Sequence, residues 1–208
     1  MVDATTAPRG QLPYIVDEGE VIGDSEAILA HLETRHGVAL DAALTHGQRD
    51  TALLVTRMLD DLYWVMSCSR WKDPAFHAAM QREHPELTAT ILQQARDYNA
   101  QRYHFQGIGR FEPHAAYARG LADLVVLARR VPTEGYVSGP KPSSVDAAIY
   151  GFTANILLSD IETPLRRFTA AQPNLVRHCQ AIHAAIAPFE GGRQLTITLD
   201  MAHKPKGA

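Results

Sequence analysis

From Thr45 to Ile186 the apolar residues of this 208-residue chain recur at three- and four-residue steps, a period that restricts most of it to packed α-helices. Leu53, Leu54, Met58, Leu59, Leu62 and Met66 form one broad face of a long helix running to about Arg70, with Thr45 and Gln48 as a candidate capping box at its start. Asp73-Pro74 predicts a short helix carrying Phe76 and Met80. His84-Pro85 predicts another, with Leu87, Ile91, Leu92, Ala95, Tyr98 and Tyr103 as its packed face, stopped by the turn-forming string QGIGR over residues 106 to 110. The spacing of Ala116, Tyr117, Leu121, Leu124, Val125 and Leu127 predicts a helix over Pro113 to Arg130. After the loop GPKPSS, Val145, Ala148, Ile149, Phe152, Ala154, Ile156 and Leu157 are apolar nearly all round, the pattern of a helix buried on every side. Pro173-Asn174 opens a last helix through Leu175, Val176, Cys179, Ile182 and Ile186.

The first 38 residues read differently. Leu12 to Val16, a turn at Asp17 to Glu20 and the Val21-Ile22 pair predict a small β-hairpin, and Asp24-Ser25 then opens a helix ending near Gly37. One hairpin and one helix bury too little to stand alone, so this module is expected to lean on the rest of the chain or on a partner. At the far end, Leu195, Ile197 and Leu199 alternate with Thr196 and Thr198 as a short strand or extended arm. The expected organisation is a small α/β module over 1–38, an all-helical domain over 45–190 and an extended tail over 191–208.

Composition narrows the function classes. Twenty basic and 23 acidic residues, without a long run of either sign, give no electrostatic footprint for nucleic acid. Cys68 and Cys179 are isolated and outside any CxxC, which fits a reducing, cytoplasmic setting, and no stretch is long and apolar enough to span a bilayer. Ten histidines form no HExxH and no compact ligand set, so neither a metal nor a tightly bound cofactor is expected.

The string GQLPYIVDEGEVIGDSEAILAHLE, residues 10 to 33, resembles the second half of the thioredoxin-like domain of glutathione transferases, in particular the metaxin and failed-axon-connections branch. The likeness continues through LYWVMSCSRWKDP, QGIGR and GPKPSSVDAAIYGFTANIL. It implies a mostly α protein, with a transferase-type helical bundle preceded by part of a thioredoxin-like domain. It also implies a glutathione site in which Pro13 is the cis proline, Leu12 offers backbone groups to the cysteinyl part, and Asp24 and Ser25 receive the γ-glutamyl end. A serine at a helix start suits a carboxylate, because its hydroxyl and free amide both donate there and the helix dipole favours negative charge. Ser143 and Asp146 match the pair that marks the branch's central helix, with a structural capping role.

Family members carry a strand, a helix and a second strand ahead of the proline loop, and only nine residues precede Gly10 here. That missing βαβ segment is where the family places its thiol-activating residue. Two explanations are open: an internal start within a longer natural protein, or a natively shortened domain. The expected activity is conjugation of glutathione, as co-substrate, to small electrophiles in a complete protein. For this polypeptide alone, weak or absent glutathione binding and no appreciable turnover are expected. The alternative is a non-catalytic interaction or scaffold protein of the metaxin type. An exposed hairpin edge is expected to favour a homodimer.

Tyr63, Arg70 and Arg110 are candidate cleft residues, and Tyr63 and Arg70 are the nearest candidates for activating a thiol. An arginine beside Trp64 and Trp71 has the chemistry to clamp a carboxylate; the competing reading is that the tryptophans pack and the arginines pair with Asp60, Asp61 or Asp73. Cys68, in a helix interior beside Met66, reads as a buried small hydrophobe rather than a nucleophile.

Overall fold

The computed structural model describes residues 7–10, 13–159 and 161–187. Leu12 and the 191–208 tail fall outside these residues. The chain divides into two compact units, Met1–Thr45 and His46–Ala208.

The first unit is a hairpin and a helix. Strands β1 (Tyr14–Asp17) and β2 (Glu20–Gly23) pair antiparallel, with Asp17 opposite Glu20. Glu18 and Gly19 between them both take positive φ, 48° and 88°, the two-residue turn whose twist matches that of the strands. Helix α1 (Ser25–His36) ends on Gly37 in the left-handed conformation. Polar contacts tie the helix to the turn. His31 Nε2 lies 2.7 Å from Asp17 Oδ2, Arg35 Nε lies 3.1 Å from the same oxygen, and Arg35 also pairs with Glu18. The His31 hydrogen bond, followed by the charge on Arg35, holds the partly exposed Asp17 carboxyl below its usual range against a desolvation effect of opposite sign.

The second unit is all helical among the described residues: α2 (His46–Lys72), α3 (Pro74–Glu83), α4 (Ala89–Gln106), α5 (Pro113–Arg130), α6 (Ser144–Leu157), α7 (Pro164–Ala170) and α8 (Pro173–Ile186). Leu59, Leu62 and Val65 of α2, Leu124 and Leu127 of α5, Val145 and Ile149 of α6, Leu165 of α7 and Leu175 of α8 are all buried in one core. Each fully buried aliphatic side chain of this kind contributes about 1.5–3 kcal/mol over its exposed state. Helices α2 and α5 approach closely over Gly120, where an added Cβ would meet Val65 Cγ1 at 3.0 Å and Leu62 Cδ1 at 3.2 Å.

Two expectations from the sequence need correction. Helix α4 begins at Ala89, not at His84-Pro85: residues 84 to 88 turn instead, with the Leu87 amide donating to the His84 carbonyl, and Thr88 caps the helix by accepting from Ile91 N at 3.2 Å. Its packed face is accordingly Leu92, Asn99 and Tyr103, while Ile91 and Tyr98 are exposed. Helix α7 was not anticipated. It is only seven residues long, too short for a repeating apolar period, and its Thr163 cap followed by Pro164 was its one sequence signal.

Candidate functional site

The start of α1 is built by Asp24, whose side chain accepts from Glu26 N at 3.0 Å and Ala27 N at 3.3 Å, and whose amide donates to the Pro13 carbonyl at 3.4 Å. The last bond ties the proline loop to the helix entry. Asp24 sits at φ 82°, ψ 128°, a conformation that L side chains rarely adopt, and such strain concentrates at ligand clamps and turns. With the cap role taken by Asp24, Ser25 is the first helical residue. It is exposed, and among the described residues no hydrogen bond engages its hydroxyl or its amide. Pro13 is likewise exposed. The arrangement offers a carboxylate ligand an unspent donor pair at the positive end of a helix.

The second unit carries a cleft of about 420 Å³. Tyr63, Met66, Ser67, Arg70 and Trp71 line it from α2, spaced by three and four so that they share one helix face. Ala148, Gly151, Phe152 and Asn155 line it from α6 with the same spacing, and Phe76 closes it from α3. Arg70 crosses from one wall to the other: its guanidinium donates to both the side-chain oxygen and the backbone carbonyl of Asn155. The carboxylates weighed against it from the sequence are engaged elsewhere, Asp60 with Arg57, Asp61 with Arg119, and Asp73 as the cap of α3. Burial pushes the Arg70 pKa below its usual value. Trp71 packs edge-on against Phe76, with ring centroids 5.3 Å apart. Behind the α2 wall, Ser67 Oγ meets the buried Tyr103 hydroxyl at 2.8 Å, and burial pushes the Tyr103 pKa up to about 12.

Arg110 is not a cleft residue. Its Nε donates to the His104 carbonyl at 3.0 Å, closing the turn that follows α4. Trp64 lies under the Arg102 guanidinium, 5.3 Å from ring centroid to Cζ, and is also outside the cleft lining. Cys68 is buried, and burial raises its pKa, which leaves it a poor nucleophile. Among the described residues no group of three His, Cys, Asp or Glu side chains is placed to hold a metal ion.

Ser143 and Asp146 form the capping box of α6. Asp146 is fully buried and accepts from Ser143 N and Ser143 Oγ, both at 2.8 Å, from Val137 N at 3.0 Å, and from His178 Nε2 at 2.9 Å. Burial alone would raise its pKa, but these hydrogen bonds, led by that of His178, outweigh it and hold the carboxyl below the usual range. His178 was missed from the sequence. Its signal is a polar side chain on the apolar face formed by Leu175, Cys179 and Ile182, which requires a buried partner.

Residues 2–76 match the family model described as glutathione S-transferase N-terminal domain, and residues 120–182 match glutathione S-transferase, C-terminal domain. The chain belongs to the glutathione S-transferase-like superfamily. This glutathione S-transferase-like protein is 29% identical to the isoprene-epoxide–glutathione S-transferase of Rhodococcus sp. (strain AD45), over 85% of the chain and 78% of that relative. It is 28% identical to Failed axon connections of Drosophila melanogaster over 95% of the chain, and spans about half, 51%, of that protein's length. No solved structure matches it. No helix among the described residues is long and apolar enough to cross a membrane.

Proposed function

We propose that this chain binds glutathione at the start of α1 and that the protein conjugates it to a small electrophile. The observation that carries the reading is Ser25, exposed at the first position of a helix whose cap is already supplied by Asp24, so that both its donors are unspent. Its amide and hydroxyl receive the carboxylate of the γ-glutamyl end, and the Asp24 carboxylate faces the adjacent ammonium. The name of the Rhodococcus relative supports a small apolar epoxide as the electrophile class. In that reaction the thiolate sulfur bonds to a ring carbon, the carbon–oxygen bond breaks, and the alkoxide takes a proton from water.

A scaffold reading without turnover is favoured by one observation, the likeness to Failed axon connections over 95% of the chain. Calorimetric titration with glutathione and an epoxide-opening assay separate the two. Because the described contacts are few, affinity is expected to be weak, with little surplus after association costs of several kcal/mol. Saturable binding that Ser25→Ala removes supports the glutathione site, and binding unchanged in Ser25→Ala sinks it. Binding without turnover favours the scaffold.

A further inference from the structure

Helix α4 has two apolar faces. One, with Leu92 and Tyr103, is buried against the rest of the helical unit. On the other, Ile91, Tyr98 and Phe105 are 42%, 63% and 78% exposed. They stand seven residues apart, two turns of helix, so they drift by only about 20° per step and form one stripe. Single apolar residues on a surface need no explanation, but a row of large ones marks an interaction surface. The central ring is also held in place: the Arg102 guanidinium lies 5.7 Å from the Tyr98 centroid and 5.3 Å from that of Trp64. A side chain ordered beforehand loses less on binding, and tyrosine, arginine and phenylalanine are residues that interfaces favour.

The spacing says what covers the stripe. It is symmetric about Tyr98, with one large apolar residue seven positions to either side. If a second copy of α4 packs antiparallel across a two-fold axis at Tyr98, that tyrosine meets its own counterpart and Ile91 meets Phe105 at both ends, as a self-complementary interface requires. The flanks agree with the same register. It sets Arg102 across from the small Ala95 and Gln101 across from Gln94, so no two like charges meet and the two amides can pair. The opposed direction also sets the two helix dipoles against each other favourably. We propose that α4 is the contact face of a homodimer, two copies packing antiparallel on the Ile91, Tyr98 and Phe105 stripe. This surface lies in the helical unit, apart from the hairpin edge, and the glutathione reading stands or falls without it. Two partly exposed aromatics and an isoleucine fall short of the roughly 800 Å² per partner of a standard interface, so the dimer is reversible rather than obligate.

The test is sedimentation of the whole chain from about 1 to 300 µM, a range that resolves micromolar association. The unaltered protein is expected to pass from one chain to two as its concentration rises. Tyr98→Glu sets two negative charges together at the two-fold axis and should move that transition upward by at least about tenfold in concentration. Phe105→Ala should move it in the same direction by less, and Val16→Glu, on an exposed side chain of the hairpin, should leave it in place. Register is read by cysteine cross-linking under a mild oxidant, the native Cys68 and Cys179 being buried. Tyr98→Cys should link to its own copy, and Ile91→Cys should link to Phe105→Cys and not to itself. A chain that stays monomeric to about 300 µM overturns the proposal. So does a dimer that survives Tyr98→Glu, one that is lost in Val16→Glu, or an Ile91→Cys that links preferentially to its own copy. Should Tyr98→Glu fail to fold, the cross-linking pattern decides it.

Discussion

Two helix starts in this protein carry an aspartate and a serine, and they use them in opposite ways. At α6 the serine is the cap and the aspartate lies three residues later; both are buried, and the Asp146 carboxylate accepts from Val137, Ser143 and His178. At α1 the aspartate is the cap, at a strained φ of 82°, and the serine that follows is exposed and unbonded. A buried polar group must be satisfied from within the fold, because losing its water costs more than a net hydrogen bond returns. An exposed one need not be, since water serves until a ligand replaces it. The same residue types therefore act as a structural fastener in the helical unit and as a candidate recognition site in the small one.

The strongest way to break this contrast is Asp146→Ala. It leaves two backbone amides and His178 without their acceptor in a dry core, and the expected loss is about 3–5 kcal/mol, read by denaturant unfolding of the helical unit. The pH dependence has a fixed sign. A carboxyl whose pKa is depressed on folding contributes stability above its unfolded value of about 3.8, and loses it as the pH falls through the folded value. The unaltered protein should thus soften on acidification below about pH 4 more steeply than the variant. A loss under about 1 kcal/mol would mean the pair is replaceable by packing or water.

Next in size is Tyr103→Phe, which leaves Ser67 Oγ without its 2.8 Å partner and removes the bond to Asn99, at a cost of about 1–2 kcal/mol. Here the sign reverses. Burial raises the phenol from 10.0 to about 12, so the unfolded chain ionises first and stability falls as the pH climbs between those values. The phenylalanine variant should lose that part of the alkaline decline in a pH series of unfolding midpoints.

The contrast between the two units also accounts for what the sequence revealed. The long α2, α5 and α6 were legible because each repeats its apolar spacing over several turns, and α5 occupies the residues its pattern predicts, Pro113 to Arg130. The α4 start was misread because His84-Pro85 resembles a helix opening as much as a turn, and the start is set instead by the Thr88 side chain, which accepts from Ile91 N. At the cleft, Tyr63 and Arg70 were legible as polar and aromatic groups on one helix face, whereas Asn155 and Gly151 were not: their role depends on α6 lying across from α2, which no local period encodes. Arg110 illustrates the converse, since a glycine-flanked arginine looks like a cleft residue in sequence but lies outside the cleft lining, with its Nε on a local carbonyl. The Ser143–Asp146 box was visible from its three-residue spacing, but His178, 32 residues further along, needed the fold.

A smaller effect is expected at Asp24, where two opposing terms are separable. Asp24→Ala removes the side-chain acceptor of Glu26 N and Ala27 N and keeps a Cβ at positive φ, so α1 should weaken by about 1 kcal/mol. Asp24→Gly loses the same acceptor but relieves the backbone, so it should cost less than alanine, or nothing. Hydrogen exchange at the first-turn amides of α1 reads both directly. If glycine proves the worse of the two, the strain at φ 82° is not being stored there.

The smallest effect on stability, and the one that bears most on function, belongs to Ser25→Ala. Ser25 is exposed and its hydroxyl bonds to nothing among the described residues, so removing the hydroxyl leaves no buried group there unsatisfied. Alanine is moreover a better helix former at an early helical position, so α1 should keep its stability or gain a few tenths of a kcal/mol. The equivalent change at the other helix start, Ser143→Ala, removes the 2.8 Å bond to Asp146 from a buried network and should cost about 1–2 kcal/mol. Two serine-to-alanine changes, each at the beginning of a helix, are therefore expected to differ in sign or nearly so. Glutathione titration should invert the order: Ser143→Ala, where still folded, keeps whatever affinity the protein has, and Ser25→Ala loses it because a ligand carboxylate forfeits one of its two donors. If both variants lose stability equally, Ser25 has a structural partner after all and the contrast between the two helix starts fails. If Ser25→Ala is silent in stability and in glutathione binding alike, an unbonded serine at a helix start is only a solvated residue, and recognition must lie elsewhere in the chain.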